Sequence, residues 1–561
     1  MDGTPNWDTR SRSSTRPLEA ATSLMRGRGT EARSAGAPAR SCTMNSRASP
    51  RRATLRDENK NRLSGENALA NPQFVSTGIA GLDTVLGGGF LQGGFYLLQG
   101  DPGSGKTTVA LQFLMEGARQ GRRGLYITLT ETRNDLQRAA ASRDWSLEGV
   151  DIFDLTTTDV GALRESQYVI FQPSEVELGE TTKRVIAEVE RIRPAQVVFD
   201  GLSELRLLAS EPLKYRRQLL ALKAYFDEQQ TTVLLLDDRS GAATSLNPES
   251  IVGGNIVMEQ HLPGYGGARR RLHVTKVRGA DFWDGYHDYE IKPDGVLIHP
   301  RLVAAKHHAD FPVAELPSGV ENLDKILCGG LASGTTTLFL GPAGVGKSTV
   351  AMQYVTSALQ AKMKAAIFTF DEIISTLIGR SEKLVARGIV QYMQSGQLHL
   401  RQVDPAELSP GTFAHEVYRL IDEGVKVLVI DSLNGYLNAM PEERFLPTHL
   451  HELFAYLNQK GIVTIVVVAQ HGLTMTEGSE LDVSYLADAV LLFRYFEVDA
   501  EIRQAISVFK KRTGGHERSL RELQISSNGV KVGEPLVGFR GILTGVPEYL
   551  GVTKALGPPA R

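Results

Sequence analysis

Short apolar runs alternate with amphipathic segments along most of the chain. Residues 95–98 are wholly apolar and residues 462–468 are interrupted by one threonine, which is typical of strands that are buried on both faces. Residues 213–229 and 449–460 carry apolar positions at helical spacing, and each precedes another apolar run. Strands that alternate with helices favour a mostly parallel sheet with both faces covered. The pattern therefore predicts an α/β fold of the doubly wound type.

The pattern also occurs twice. From Ser76 onward, the same apolar, glycine-rich and acid-ending segments return in the same order. The matching segments are 78–83 and 319–324, 125–131 and 366–372, and 197–200 and 427–431. We therefore predict two tandem domains, residues 73–305 (the first repeat) and residues 306–545 (the second repeat), followed by a short tail at 546–561.

The N-terminal part of the chain differs from the two repeats. Residues 1–72 are rich in Arg, Ser, Ala and Gly without apolar periodicity, and carry about six excess positive charges in a chain whose net charge is −2. Such a segment buries too little apolar surface to offset its ordering entropy, so we predict a disordered basic tail. A basic arm that contacts an acidic partner is the alternative. The remainder of the chain is acidic, which makes a nucleic-acid partner unlikely.

The bulk composition narrows the class of protein further. The two cysteines, Cys42 and Cys328, provide neither a disulfide framework nor a cysteine metal site. No run of eighteen apolar residues is present, so we expect no membrane association. The N-terminus also lacks the apolar core of a signal peptide. These features favour a cytoplasmic protein.

Each repeat contains the phosphate-binding pattern G-x-x-x-x-G-K-[ST], at residues 100–108 (P-loop 1) and 341–349 (P-loop 2). An apolar strand enters each loop and a helix-patterned segment leaves it, which is the context that the motif requires. Backbone N–H groups and the helix dipole then converge on phosphate, while the lysine neutralises charge and the Ser or Thr hydroxyl faces Mg²⁺. The expected ATP contacts are Gly100, Gly103, Ser104, Gly105, Lys106, Thr107 and Thr108 in the first repeat, and Gly341, Gly344, Val345, Gly346, Lys347, Ser348 and Thr349 in the second.

Acidic residues follow two further strands of each repeat. Asp200 and Asp431 each close an apolar strand, and we predict that they hold Mg²⁺ together with Thr107 and Ser348. We predict strands over residues 125–131 and 366–372, so that Glu131 and Glu372 end the strand after each P-loop helix, and Asp371 precedes Glu372. These carboxylates are the candidates for positioning or deprotonating the attacking water. Capping of the next helix is the alternative role.

Basic residues recur late in each repeat. Lys276 and Arg278, and likewise Lys510 and Arg512, lie two positions apart on strand-like segments, so that both can reach one anion. We interpret them as cationic fingers for a nucleotide bound by the adjacent subunit. The alternative is a solvated edge strand, on which lysine is common.

Together, these features resemble the KaiC family of RecA-like ATPases, over about residues 74–545. The resemblance implies two RecA-like P-loop domains in an ATP-dependent homo-hexamer with nucleotide between subunits, and an unidentified regulatory protein partner. It also implies ATPase activity in the first repeat and self-phosphorylation on Ser or Thr in the second. The C-terminal end is short and lacks the extended tail that receives a partner in the clock protein, so a direct clock function is not supported.

Departures from that family concern the acids and the phosphate acceptors. The family's catalytic Glu is replaced by Thr130 in the first repeat and by Asp371 in the second. We therefore predict weak hydrolysis in the first repeat and a working base at Asp371 or Glu372 in the second. The family's Ser-Thr pair aligns with Ser484-Tyr485, which leaves Ser484 as the candidate acceptor. Ser479 is only a loose match to the other acceptor.

Two other functions use the same core. One is a DNA-dependent ATPase of the RecA or DnaB kind, which needs basic, glycine-rich loops facing a pore. Residues 241–267 are the nearest to such loops, but the basic cluster at 269–271 fits better as a flank of the finger strand. The other is a nucleotide-gated hexameric scaffold, in which ATP holds the subunits together with little catalysis.

Overall fold

The structure is a computed structural model, and the residues that it describes all fall within Ala70–Arg561. The described residues are 73–156, 173–209, 211–239, 248–263, 266–304, 307–404, 408–438, 445–470, 484–498, 500–543 and 548–550. The tail predicted at residues 1–72 and the candidate Ser479 lie outside them.

The first repeat contains a nine-stranded sheet and a separate two-stranded sheet. Its strands are β1 (Phe74–Val75), β2 (Phe90–Leu91), β3 (Phe95–Gly100), β4 (Gly124–Thr128), β5 (Val150–Asp154), β6 (Gln196–Asp200), β7 (Thr232–Asp238), β8 (Gly254–His261), β9 (Arg269–Val277), β10 (Tyr286–Lys292) and β11 (Gly295–His299). Its helices are α1 (Ala80–Val85), α2 (Lys106–Arg119), α3 (Arg133–Ala141), α4 (Pro173–Ile192), α5 (Leu202–Leu208) and α6 (Pro212–Glu228). The sheet order is β11-β10-β9-β8-β3-β7-β6-β4-β5, and β1 pairs with β2 alone. The strands from β8 to β5 are parallel, whereas β9, β10 and β11 are antiparallel.

The second repeat contains a nine-stranded sheet of the same topology and two separate two-stranded sheets. Its strands are β12 (Glu315–Leu316), β13 (Leu331–Ala332), β14 (Thr335–Gly341), β15 (Lys364–Thr369), β16 (Leu398–Gln402), β17 (Val425–Asp431), β18 (Val463–Ala469), β19 (Ala489–Val498), β20 (Glu501–Lys511), β21 (Arg521–Ser526), β22 (Gly529–Pro535), β23 (Phe539–Arg540) and β24 (Glu548–Tyr549). Its helices are α7 (Glu321–Ile326), α8 (Lys347–Gln360), α9 (Ile374–Leu384), α10 (Ile389–Gln394), α11 (Pro410–Asp422), α12 (Leu433–Asn438) and α13 (Leu446–Gln459). The sheet order β16-β15-β17-β18-β14-β19-β20-β21-β22 is the order of the first repeat read from the other edge.

Burial explains why the apolar runs form the central strands. Every residue of β3 and of β6 is buried, because helices cover both faces of the sheet. Helix α2 places Phe113, which is fully buried, in the core on one face, and Phe226 of α6 packs in the core on the other. Truncating such a phenylalanine to alanine typically costs about 3–5 kcal/mol. The predicted α/β fold with tandem, mostly parallel sheets is confirmed.

One local expectation is wrong. The segments 125–131 and 366–372 were expected to be strands throughout, but β4 ends at Thr128 and β15 ends at Thr369. In each repeat the threonine hydroxyl accepts a hydrogen bond from the amide of the glutamate three residues on, and donates one to that residue's carbonyl. This local turn ends the strand early, because the side chain offers the backbone an alternative to the sheet. Glu131 and Glu372 therefore lie in a turn, where strand alternation no longer fixes their direction.

The two repeats meet through the end of the first sheet and helix α11 of the second repeat. Asp288 on β10 accepts a hydrogen bond from the backbone N–H of Gly411, at 2.8 Å. The rings of His299 and His415 lie 4.6 Å apart between centroids, across the same junction. Among the described residues, no helix is long and apolar enough to cross a membrane.

Candidate functional site

Both P-loops join the sheet to a helix through glycines in the left-handed region. Gly105 has φ +99° and Gly346 has φ +101°, and each immediately precedes its helix, α2 or α8. A Cβ on Gly346 would lie 2.3 Å from Cδ1 of Ile525, so that position has no space for a side chain. The turn leaves the first N–H groups of each helix without helical partners, and such groups bind phosphate.

The lysine of P-loop 1 is fully engaged by the protein. Lys106 Nζ donates to the carbonyls of Gly100 at 2.8 Å and Asp101 at 3.1 Å, and forms an ion pair with Asp238 Oδ1 at 2.7 Å. An ammonium group has three donors. All three are therefore occupied in this conformation.

The lysine of P-loop 2 is in a different environment. Lys347 Nζ donates to the carbonyls of Gly341 at 2.8 Å and Pro342 at 2.6 Å, and the side chain is only 6% exposed. Burial lowers the pKa of Lys347 to about 8, and the charge of Asp431 only partly opposes this. A buried cation of this kind gains more from a bound phosphate than a solvated one does.

In the second repeat, the strand-terminal acid contacts the hydroxyl with which it is predicted to hold Mg²⁺, whereas in the first repeat Tyr126 hydrogen-bonds to both groups. Asp431 is hydrogen-bonded to the side chain of Ser348, and burial raises the pKa of its carboxyl group. Asp200 accepts hydrogen bonds from Tyr126 and Thr130, and burial likewise raises its pKa. Both shifts arise because burial disfavours the charged form of a carboxyl group.

The acids after β4 and β15 are held differently in the two repeats. The Glu131 carboxylate hydrogen-bonds to the side chain of Thr107, and burial, together with Asp200, raises its pKa. In the second repeat, Asp371 Oδ2 accepts a hydrogen bond from Ser432, while Glu372 Oε2 accepts one from Arg380 at 2.9 Å. Burial raises the pKa of Glu372, and the Arg380 charge opposes that shift.

The predicted cationic fingers contact a short 3₁₀ turn in each repeat. In the first repeat, Lys276 donates to the carbonyl of Glu249 and Arg278 donates to that of Ser250 at 3.2 Å, in the turn at Pro248–Ser250. In the second repeat, the equivalent turn is Ser484–Leu486, and Lys510 and Arg512 flank it.

Ser484, the candidate phosphate acceptor, therefore lies directly at the second finger pair. Lys510 Nζ donates to its carbonyl at 3.0 Å and to that of Ala487 at 2.7 Å. Arg512 forms an ion pair with Asp488 at 3.3 Å and donates to the carbonyl of Tyr485 at 3.4 Å. The structure thus brings the candidate acceptor serine and the predicted finger residues of one chain together.

Two residues of the sites were not singled out from the sequence. Arg380 lies on α9, eight residues after Glu372 in the sequence, and no motif indicates a contact at that separation. Asp238 ends β7 as Asp200 ends β6, so an acid-ending strand was the available signal. The signal was missed because the second repeat has Ala469 at the matching register.

No group of three or more His, Cys, Asp or Glu side chains arranged to hold a metal occurs in the described part of the chain. A nucleotide-linked Mg²⁺ does not require such a group. That ion usually binds through one or two protein oxygens, with substrate phosphates and water completing its octahedral shell.

The fold and the paired P-loops define a tandem P-loop ATPase. The family model described as "ATPase: KaiC" matches this chain twice, at residues 75–303 and 316–537. The chain therefore belongs to the KaiC family of ATPases, which confirms the family and nucleotide binding predicted from the sequence.

Curated relatives agree over nearly the whole length. The circadian clock oscillator protein KaiC of Picosynechococcus sp. is 25% identical over 515 residues, covering 87% of this chain and 95% of that protein. The circadian clock oscillator protein KaiC 1 of Synechocystis sp. is 25% identical over 506 residues, covering 86% and 93%. The circadian clock protein KaiC3 of the same organism is 24% identical over 486 residues, covering 85% and 94%.

Proposed function

We propose that the protein binds MgATP at both P-loops and that the second repeat performs most of the hydrolysis. The observation that supports this most directly is the arrangement around Asp371. Its carboxylate is tied to Ser432, the residue after Asp431, so that a candidate base and a candidate metal ligand lie on adjoining strand ends. The first repeat has Thr130 at the position of Asp371.

The residues present fit Mg²⁺, because Ser348 is hydrogen-bonded to Asp431 and because Tyr126 is hydrogen-bonded to both Thr107 and Asp200. Ser348 with Asp431, and Thr107 with Asp200, would supply the hard oxygen ligands that this ion prefers. When bound, the ion neutralises charge that develops on the phosphate oxygens.

In the second repeat, Asp371 is our proposed general base. It takes a proton from water while the water oxygen bonds to the γ-phosphorus, and the bond from that phosphorus to the bridging oxygen breaks, releasing ADP. Glu372 is less suited to this role because Arg380 neutralises it. Glu372 and Arg380 instead fix the turn that carries Asp371.

In the first repeat, the Glu131 carboxylate is hydrogen-bonded to Thr107 and is the candidate for positioning the attacking water. We expect only slow turnover there. Lys106→Ala and Lys347→Ala variants, each assayed for ATP turnover in the full-length protein, test this division of labour. We expect Lys347→Ala to remove most of the activity. If Lys106→Ala removes most of it instead, the proposed division is wrong.

We further propose autophosphorylation of Ser484. The reaction requires the Ser484 hydroxyl oxygen to attack the γ-phosphorus of an ATP, losing its proton while ADP leaves. The contacts of Lys510 and Arg512 with this turn support the proposal, because these cations would offset the added phosphate charge. Phosphopeptide mass spectrometry after incubation with ATP is the test, with Ser484→Ala as the control. Absence of phosphate on Ser484 would refute the kinase activity and leave the ATPase proposal intact.

The proposed assembly is a homo-hexamer with nucleotide between subunits, in which Lys276, Arg278, Lys510 and Arg512 act on the neighbour's nucleotide. The support is the family membership and the recurrence of the finger contacts in both repeats. Mass measurement in solution, with and without a non-hydrolysable ATP analogue, tests it. A monomer under both conditions would contradict the proposal.

A further inference from the structure

The two P-loop lysines differ in one contact. Asp238 pairs with Lys106 at 2.7 Å in the first repeat. In the second repeat the matching register position is Ala469, since β7 pairs with β3 as β18 pairs with β14. Alanine has no group to offer Lys347. The difference therefore comes from one side chain at one position of a duplicated framework.

Asp238 lies within the first site. It ends β7, the strand between the P-loop strand β3 and β6, which ends at Asp200. Its charge also acts on the Asp200 carboxyl group. Lys106 is the group that the motif provides for the β- and γ-phosphates. A carboxylate on Nζ thus competes with a terminal phosphate oxygen for one of the three donors of Lys106.

Adenine nucleotides with two and three phosphates place different demands on this pair. The β-phosphate of ADP can be bound by the loop N–H groups and one donor of Lys106, while Asp238 stays on another donor. ATP adds a γ-phosphate, which the motif also brings to the Lys106 ammonium group. Asp238 then faces the γ-phosphate as a like charge at the same ammonium group, whether or not the ion pair opens, which disfavours the complex.

We infer that Asp238 is a specificity-determining residue that makes the first site favour ADP over ATP, whereas the second site, with Ala469, lacks this preference. The inference rests on the proposed nucleotide binding at both P-loops. The first site would hold ADP after a turnover or exchange it slowly for ATP. Occupancy of the first site would then depend more on the ADP concentration than occupancy of the second site does.

The test exchanges the two residues between the repeats in the full-length chain. Lys347→Ala restricts binding to the first site and Lys106→Ala restricts it to the second. Affinities for ADP and for the imido analogue of ATP are measured by titration calorimetry with Mg²⁺. In the first background we expect Asp238→Ala to tighten the ATP analogue about five- to tenfold and ADP less than about twofold. Asp238→Glu, which keeps the charge, should retain the preference for ADP.

The reciprocal variant covers the case in which Asp238→Ala does not fold. Ala469→Asp in the Lys106→Ala background should weaken the ATP analogue about fivefold relative to ADP. If either exchange leaves the ratio of the two affinities unchanged, the inference is wrong. If the Lys347→Ala protein binds neither nucleotide, the proposed function fails at the first site, and the inference fails with it.

Discussion

The hydroxyl of Ser432 donates a hydrogen bond to Oδ2 of Asp371. Ser432 follows the end of β17 and Asp371 lies just after β15, and these strands are neighbours in the sheet. The same hydroxyl accepts a bond from the N–H of Gly435 at the start of α12. Asp371 is therefore tied to the turn that carries Asp431, and the two carboxylates keep a fixed relation.

This relation predicts the effect of removing the base. Asp371→Asn keeps the size of the side chain and its bond to Ser432 but cannot take a proton. We expect ATP turnover by the second repeat to fall about 10²- to 10⁴-fold, the usual contribution of a general base. The measurement is steady-state ADP release by the Lys106→Ala protein with and without the second substitution.

Glu372→Gln is the matched control, because it changes the adjacent carboxylate in the same way. It weakens the contact with Arg380 and should slow turnover by less than about tenfold. A larger loss for Glu372→Gln than for Asp371→Asn would move the role of base to Glu372.

The sequence could predict the positions of the P-loop lysines and of the strand-terminal acids, but not the direction of the glutamates. Motif and duplication placed Lys106, Lys347, Asp200 and Asp431 on the correct strand and helix ends, because these positions depend on local pattern. The direction of Glu131 was not predictable. It depends on the turn that Thr128 forms with the backbone, and strand alternation gave no sign of that turn.

Contacts between residues that are far apart in the sequence could not be predicted either. The contact of Lys106 with Asp238 depends on two strands becoming neighbours after folding. A single sequence gives no measure of that distance. The acidic end of β7 was visible, but its neighbour in the sheet was not.

Binding at the second site should depend on pH in a direction set by Lys347. Burial lowers its pKa to about 8, and a bound phosphate favours the charged form and raises the pKa again. Nucleotide binding should therefore take up a fraction of a proton near pH 8, and affinity should fall as the pH rises above about 8.

Calorimetry on the Lys106→Ala protein, in buffers of different ionisation enthalpy, measures this uptake. Lys347→Arg is the control, because a guanidinium stays charged throughout this range. Equal binding heats in all buffers near pH 8 for the Lys106→Ala protein that retains Lys347 would contradict the prediction.

The junction between the repeats offers a test of stability. Asp288 accepts a hydrogen bond from the backbone N–H of Gly411, in the first turn of α11. That N–H has no acceptor within the helix. Asp288→Ala should lower the free energy of unfolding by about 1 kcal/mol, as loss of a helix cap does. Urea titration followed by circular dichroism measures it. Asp294→Ala, an exposed acid near the end of the same hairpin, should change stability by less than about 0.5 kcal/mol.

The finger proposal predicts complementation between two inactive proteins. Lys347→Ala removes the lysine of P-loop 2 and leaves Lys510 intact, whereas Lys510→Ala does the reverse. If the finger acts on the neighbour's nucleotide, a junction is active where an intact P-loop 2 meets an intact Lys510 from the next subunit. An equal random mixture in a ring should regain about a quarter of wild-type turnover in the second repeat, since heterologous contacts pair each subunit with a different neighbour. The assay uses a Lys106→Ala background and subunits exchanged before ATP is added. No recovery, in a mixture shown by mass to contain both variants, would mean that Lys510 acts within its own chain.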